Sequence, residues 1–121
     1  MIFKSKSGYI FGGFSPCKWQ QQQYKSQSIN DDSLSSFIFS QTHDQIYPLK
    51  QAQKFYAICC SANNGLAFGR DLVIDSNFQN GSSYLGETYY WDDQYKQNDQ
   101  KIHLFGSLTP NITELEVYEV Y

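Results

Sequence analysis

An antiparallel β-sandwich or barrel is the fold class this sequence predicts, on three observations. Roughly eight short runs rich in Phe, Tyr, Ile, Leu and Val alternate with polar turn clusters. An aromatic fraction of 17% supplies side-chain volume for a core. No stretch carries the period of an amphipathic helix. With 121 residues the chain is read as one domain, 1–121, of a size that buries about two-thirds of its unfolded surface.

Taken in order, residues 2–4 open a strand and Ser5-Lys6-Ser7-Gly8 has hairpin-turn chemistry. Residues 9–14 are the returning strand. Gly12 and Gly13 sit inside this aromatic run, where they cost conformational entropy, so they imply a bulge, a sharp bend or the close approach of another backbone. Pro16 bars a regular strand from continuing, and Trp19 is the largest apolar side chain available to anchor the segment after it. The stretch therefore reads as strand, bend and aromatic plug. A chain that starts directly in a strand also implies missing upstream elements.

Residues 20–36 are polar and read as a long surface loop, tacked down by Tyr24 and Ile29. Ser36-Phe37-Ile38-Phe39-Ser40 is the next strand. Ile46-Tyr47-Pro48-Leu49 is a third, held to an edge or a strand start by its proline. Residues 55–60 are almost continuously apolar, as in a strand buried on both faces. Leu66-Ala67-Phe68 and Leu72-Val73-Ile74 are two further strands broken at Gly69-Arg70-Asp71. Residues 76–84 and 92–101 read as polar loops, flanking the segment 85–91 that contains Gly86. Residues 113–121 close the chain as a strand, with Leu115 and Val117 alternating against Glu114 and Glu116.

Charge and composition exclude several function classes. The net charge is −3 with scattered acids, and no basic stripe exists to neutralise a phosphate backbone, so nucleic acid is not the expected partner. No segment has the apolar length to span a bilayer, and none is expected to insert in one. The first residues lack the apolar core of a signal peptide, and the three cysteines are an odd count, so an intracellular, cytoplasmic and reduced setting is expected.

No catalytic or metal-binding constellation emerges. His43 and His103 lie among polar residues and read as surface histidines; no Gly-x-Ser-x-Gly elbow accompanies them. Cys59 and Cys60 point to opposite faces of one strand and read as buried small hydrophobes rather than zinc ligands. Asp71, Asp75 and Glu87 follow no calcium-loop pattern and read as hydrogen-bonded turn carboxylates. The expectation is a non-enzymatic protein without metal or cofactor. Cys17, in the bend, is the thiol most open to oxidation, which keeps a redox-active thiol protein as the alternative.

The order of motifs resembles the TLDc domain, the module of the oxidation-resistance proteins. Phe11-Gly12-Gly13-Phe14-Ser15 with Trp19 is similar to the family's first glycine motif, and Ser36-Phe37-Ile38-Phe39-Ser40 to its next strand. Ile46-Tyr47-Pro48, Ala67-Phe68-Gly69, Asp71-Leu72-Val73-Ile74, Ser82-Ser83-Tyr84-Leu85-Gly86 and Thr113-Glu114-Leu115-Glu116-Val117-Tyr118 match in the same order. Arg70 and Asp71 stand where many members have further glycines.

The resemblance implies a two-sheet antiparallel β-sandwich whose leading helical elements are missing, making residues 1–121 a truncated TLDc domain with an exposed edge and an apolar face. A domain cut short in this way and lacking independent function is a further alternative. The resemblance also implies oxidative-stress protection and binding to the peripheral sector of the vacuolar-type proton pump. Gly12, Gly13, Phe14, Trp19, Phe39, Phe68, Gly69, Asp71, Gly86 and Glu116 are its candidate structural or partner-binding residues.

Overall fold

Hairpin chemistry at Ser5-Lys6-Ser7-Gly8 joins strands β1 (Ile2–Ser5) and β2 (Ile10–Phe14), with Gly8 N–H donating to the Ser5 carbonyl at 2.9 Å. The computed structural model describes residues 1–16, 27–60, 66–75, 77–91 and 101–116, with only the backbone described at 27, 28, 60 and 66. Trp19, Cys17, Tyr24, the glutamine run and Val117 lie outside the described residues, as do most of the second polar loop and the side chain of Cys60.

After the hairpin come β3 (Gln27–Ile29), β4 (Phe37–Ser40), β5 (Gln45–Pro48), a 3-10 helix (Gln51–Tyr56), β6 (Ile58–Cys60), β7 (Leu66–Phe68), β8 (Leu72–Ile74), β9 (Gly81–Ser83) and β10 (Ile112–Glu116). They form two five-stranded antiparallel sheets, β10-β1-β2-β4-β5 and β3-β6-β7-β8-β9. The described residues are mainly β, with short 3-10 segments and no α-helix among them, as the sandwich reading expects.

Alternation along the strands sorts the core. Phe3, Phe11, Ile38 and Tyr47 of the first sheet meet Ile58, Phe68, Leu72 and Ile74 of the second in one buried cluster. Leu85, Tyr89, Leu104 and Phe105 complete it from the connecting segments. Phe3 stacks on Phe11 at 5.5 Å between ring centroids, and Phe11 meets Phe105 at 5.2 Å.

Three expectations need correction. The apolar run 55–60 is not one doubly buried strand: its first residues end the 3-10 helix, leaving Phe55 and Tyr56 more than half exposed. Only Ile58 to Cys60 pair in the sheet, because β3 and β7 offer three-residue partners. The polar loops are also not purely loops. Gln27–Ile29 and Gly81–Ser83 pair as edge strands through their ladder hydrogen bonds, with Ile29 packed against the core and Ser83 buried.

The third correction narrows the reading of Gly12 and Gly13: the register shows neither bulge nor bend, and the remaining alternative, the close approach of another backbone, is met by the Met1 carbonyl at Gly12. Gly12 faces Phe39 and Gly13 faces Ile38 in an unbroken ladder. Their small size serves close approach on both faces of the sheet. A Cβ on Gly12 would lie 2.0 Å from the Met1 carbonyl oxygen and 2.8 Å from the Phe39 ring. One on Gly13 would lie 2.6 Å from the Phe68 ring, which crosses from the second sheet onto the bare backbone. Pro48, in contrast, behaves as read, ending the edge strand β5.

Replacing Gly13 with alanine forces Phe68 off its seat and is expected to destabilise the fold by about 1–3 kcal/mol. Urea denaturation of Gly13→Ala, Phe68→Leu and the double variant checks it. The double variant should lose clearly less than the sum of the single losses, because leucine vacates the colliding ring positions. Strict additivity would show that this contact does not join the sheets.

Candidate functional site

Candidate residues named from sequence separate into two places in the fold, plus Trp19 outside the described residues. Gly69, Asp71 and Gly86 meet at a seam between the sheets, and Phe68 leads into it. Gly12, Phe14, Phe39 and Glu116 lie on the outward face of the first sheet, opposite to Gly13.

The seam is built by a tight turn. Phe68 pairs with Leu72 across it, Asp71 N–H donates to the Phe68 carbonyl at 3.2 Å, and Gly69 takes a positive φ of +60°. A Cβ on Gly69 would lie 2.5 Å from the Thr88 hydroxyl, so glycine satisfies both the left-handed backbone and the close approach. The turn drives the Asp71 side chain into the interior, where it is fully buried.

There the carboxylate accepts three backbone N–H groups from the loop beyond β9. Thr88 donates to Oδ1 at 2.9 Å, Tyr89 to Oδ2 at 2.8 Å and Gly86 to Oδ2 at 3.2 Å. Tyr84 N–H also donates to the Asp71 carbonyl at 2.9 Å. Burial pushes the Asp71 carboxyl up to about 6, outweighing the opposing effect of the three N–H donors. The sequence reading of Asp71 as a hydrogen-bonded turn carboxylate therefore holds.

The loop that Asp71 grips spans the two sheets. Leu49, directly after β5, forms a bridge with Tyr89; Lys50 N–H donates to the Thr88 carbonyl at 3.0 Å and Tyr90 N–H to the Pro48 carbonyl at 2.9 Å. The Tyr89 hydroxyl donates to the Ala57 carbonyl at 2.5 Å, beside β6. Lys50 Nζ donates to the Gly86 carbonyl and lies 5.8 Å from the Tyr90 ring centre. Thr88, Tyr89 and Lys50 escaped the sequence reading because isolated residues in a loop carry no periodic signal.

Above the seam lies an open groove of about 330 Å³ lined by Gln53, Tyr56, Cys59, Arg70, Glu87 and Thr88. Cys59, expected to be buried, is half-buried there. Arg70 and Glu87 approach at 3.9 Å with both side chains largely solvated, a pair that adds little stability.

A second buried carboxylate, Asp31, organises the entry to β4. It accepts from the backbone N–H and hydroxyl of Ser36 at 2.8 and 2.7 Å, and from Ser33 N–H at 3.1 Å. Burial opposes its ionisation, yet these donors together hold the carboxyl below the usual aspartate range.

The outward face of the first sheet is apolar over two ladder rows. One row holds Ile2, Gly12, Phe39 and Ile46; the next holds Phe14, Phe37 and Pro48. Phe14 and Phe37 rings lie 5.5 Å apart, Phe37 and Phe39 6.3 Å. Ile46 is 66% exposed, and a groove of about 500 Å³ runs beside Phe37, Phe39 and Ile46. Lys4, Glu114 and Glu116 border the patch through their pairing with β1 and β2. Among the described residues no group of three or more His, Cys, Asp or Glu side chains gathers to hold a metal ion. No helix among them is long and apolar enough to cross a membrane.

A family model described as the TLDc domain matches residues 1–121, the full length given. No curated protein and no solved structure gives a significant match to the chain.

Asp71→Asn tests the seam. An amide must turn its NH2 toward at least one of three fixed N–H donors, so a loss of about 1–3 kcal/mol is expected at neutral pH. The sign of the pH dependence comes from the raised carboxyl. The Asp71 contribution is fully present below the unfolded value of 3.8 and is lost as pH rises through about 6. The gap between wild type and variant should thus widen on acidification from pH 7 to 4, by up to roughly 3 kcal/mol. Parallel stability curves in urea across that range would contradict the assignment.

Proposed function

The chain belongs to the TLDc domain family, and from that premise we propose that it is a non-enzymatic protein-binding module. Its partner is a subunit of the peripheral sector of the vacuolar-type proton pump, and its cellular role is protection against oxidative stress in an intracellular, cytoplasmic setting. The observation that carries this reading is the apolar outward face of the first sheet. Ile46, 66% exposed, lies beside the half-buried rings of Phe14, Phe37 and Phe39, a contiguous apolar patch of the kind that marks protein interaction sites. The charged rim of Lys4, Glu114 and Glu116 supplies the polar border typical of an interface.

Membership of the family supports the choice of partner. The acidic residues on β10 favour a basic surface on that partner, with association that weakens as salt rises. Gly12 fits the same picture, since its missing side chain lets the Phe39 ring lie flat across the sheet.

Binding of the purified peripheral sector, measured by surface plasmon resonance, tests the reading. Ile46→Asp leaves the buried core untouched because Ile46 is mostly solvent-exposed. It is expected to weaken binding by roughly tenfold or more with an unchanged thermal midpoint. Wild-type affinity in this variant would move the interface elsewhere, and no binding by the folded wild-type chain would end the partner assignment.

Peroxide protection in cells separates binding from thiol chemistry. A variant with serine at Cys17, Cys59 and Cys60 should protect as well as wild type, while Ile46→Asp should not. The reverse pattern would favour a redox-active thiol.

A further inference from the structure

The groove beside Phe37, Phe39 and Ile46 is apolar on one side only. Ser40, Gln41, Asp44 and Gln45, around the turn between β4 and β5, form the other. That turn is pinned to the sheet. The N–H groups of Gln41 and Thr42 donate to the Ile10 carbonyl at 2.9 and 3.3 Å, and Ile10 N–H donates to Thr42 Oγ1 at 2.8 Å. His43 N–H donates to Ser40 Oγ at 3.1 Å, and Asp44 N–H to the Gln41 carbonyl at 3.2 Å. The groove is therefore built before any partner arrives, and filling it orders little backbone. His43 of the same turn stays out of this wall. It stacks on His103 with ring centroids 3.8 Å apart, and His103 is only 4% exposed, which corrects its reading as a surface histidine.

Asp44 is exposed and takes a positive φ of +54°. Glycine or asparagine meets a left-handed turn position as well as aspartate does, so the backbone does not require the charge. Nor is it consumed by an ion pair among the described residues, where the pairs join Lys54 to Asp32 and Arg70 to Glu87. A solvated carboxylate thus stands at the rim of an apolar groove, held there by a fixed turn.

We propose that this groove takes one large apolar side chain from a basic segment of the partner protein, with a neighbouring lysine or arginine paired to Asp44. The assignment rests on the outward face being the docking surface, and goes further by giving the chemistry of what docks. Burial against Phe37, Phe39 and Ile46 supplies affinity, while the carboxylate selects the sign of the adjacent charge. An acidic segment of the same shape brings like charges together and is rejected. A second copy of this chain, with a net charge of −3, is disfavoured for the same reason.

The test is NMR on the whole isotope-labelled chain at low salt, with two short capped peptides as probes. One alternates leucine with lysine, the other leucine with glutamate. The lysine peptide should shift the amides of residues 37–46 and bind roughly threefold or more tightly than the glutamate peptide. Asp44→Asn keeps a residue that tolerates the left-handed turn, so it should lose this preference with an unchanged thermal midpoint. Asp44→Lys should reverse it. Equal affinity of the two peptides for wild type, no binding of either, or a preference that survives in Asp44→Asn would overturn the proposal. Shifts confined to another surface, or shifts that grow with protein concentration alone, would overturn it too, the latter in favour of self-association. Failure of the wider reading looks different: the purified peripheral sector then leaves wild type unbound, while the peptide preference and its loss in Asp44→Asn stand.

Discussion

A single buried carboxylate holds the two sheets in register with each other. Asp71 leaves the β7–β8 turn of the second sheet and takes three backbone N–H groups from the loop 86–89. That loop is in turn bridged to the end of β5 in the first sheet through Leu49 and Pro48. Removing a charge from water is unfavourable unless its hydrogen-bonding capacity is met, so the arrangement admits little slack. The loop must present its N–H groups in this geometry or leave the carboxylate orphaned. Specificity of the fold, more than raw stability, results from that demand.

Steric fit reinforces the electrostatic seam. Phe68 and Gly69 are neighbours in the chain, and each relies on a missing Cβ: Phe68 on that of Gly13, Gly69 on its own beneath Thr88. The result is a core in which the second sheet presses a ring onto the backbone of the first, while the carboxylate closes the side. Gly13, Phe68, Gly69 and Asp71 are therefore parts of one joint. The proposed docking face is a different surface, the outward face of β2, β4 and β5.

Two buried carboxylates respond to acid in opposite senses. Asp71 favours the folded state on protonation because its charge is buried. Asp31, held ionised by its serine donors, behaves as an ordinary stabilising carboxylate whose contribution fades as pH falls below 3.8. Their separation in space, at the seam and at the entry to β4, lets each be altered alone.

The sequence by itself determined the class of fold, the hairpin at Gly8, most strand positions and the family, because period-two alternation and turn residues are local signals. It also placed Asp71 as a hydrogen-bonded turn carboxylate. Tertiary structure decided what depends on distant partners. Of the three roles open to the glycine pair, packing selected close approach, by the Met1 backbone and the Phe39 ring at Gly12 and by the Phe68 ring at Gly13, since nothing in residues 12–13 says which neighbour arrives. Polar edge strands such as Gly81–Ser83 exist because a neighbour offers its ladder. His43 and His103, read as separate surface residues, are stacked because the turn after β4 and the segment before Leu104 converge on Tyr47 and Trp91. Contacts of that length are set by three-dimensional packing, which no local pattern encodes.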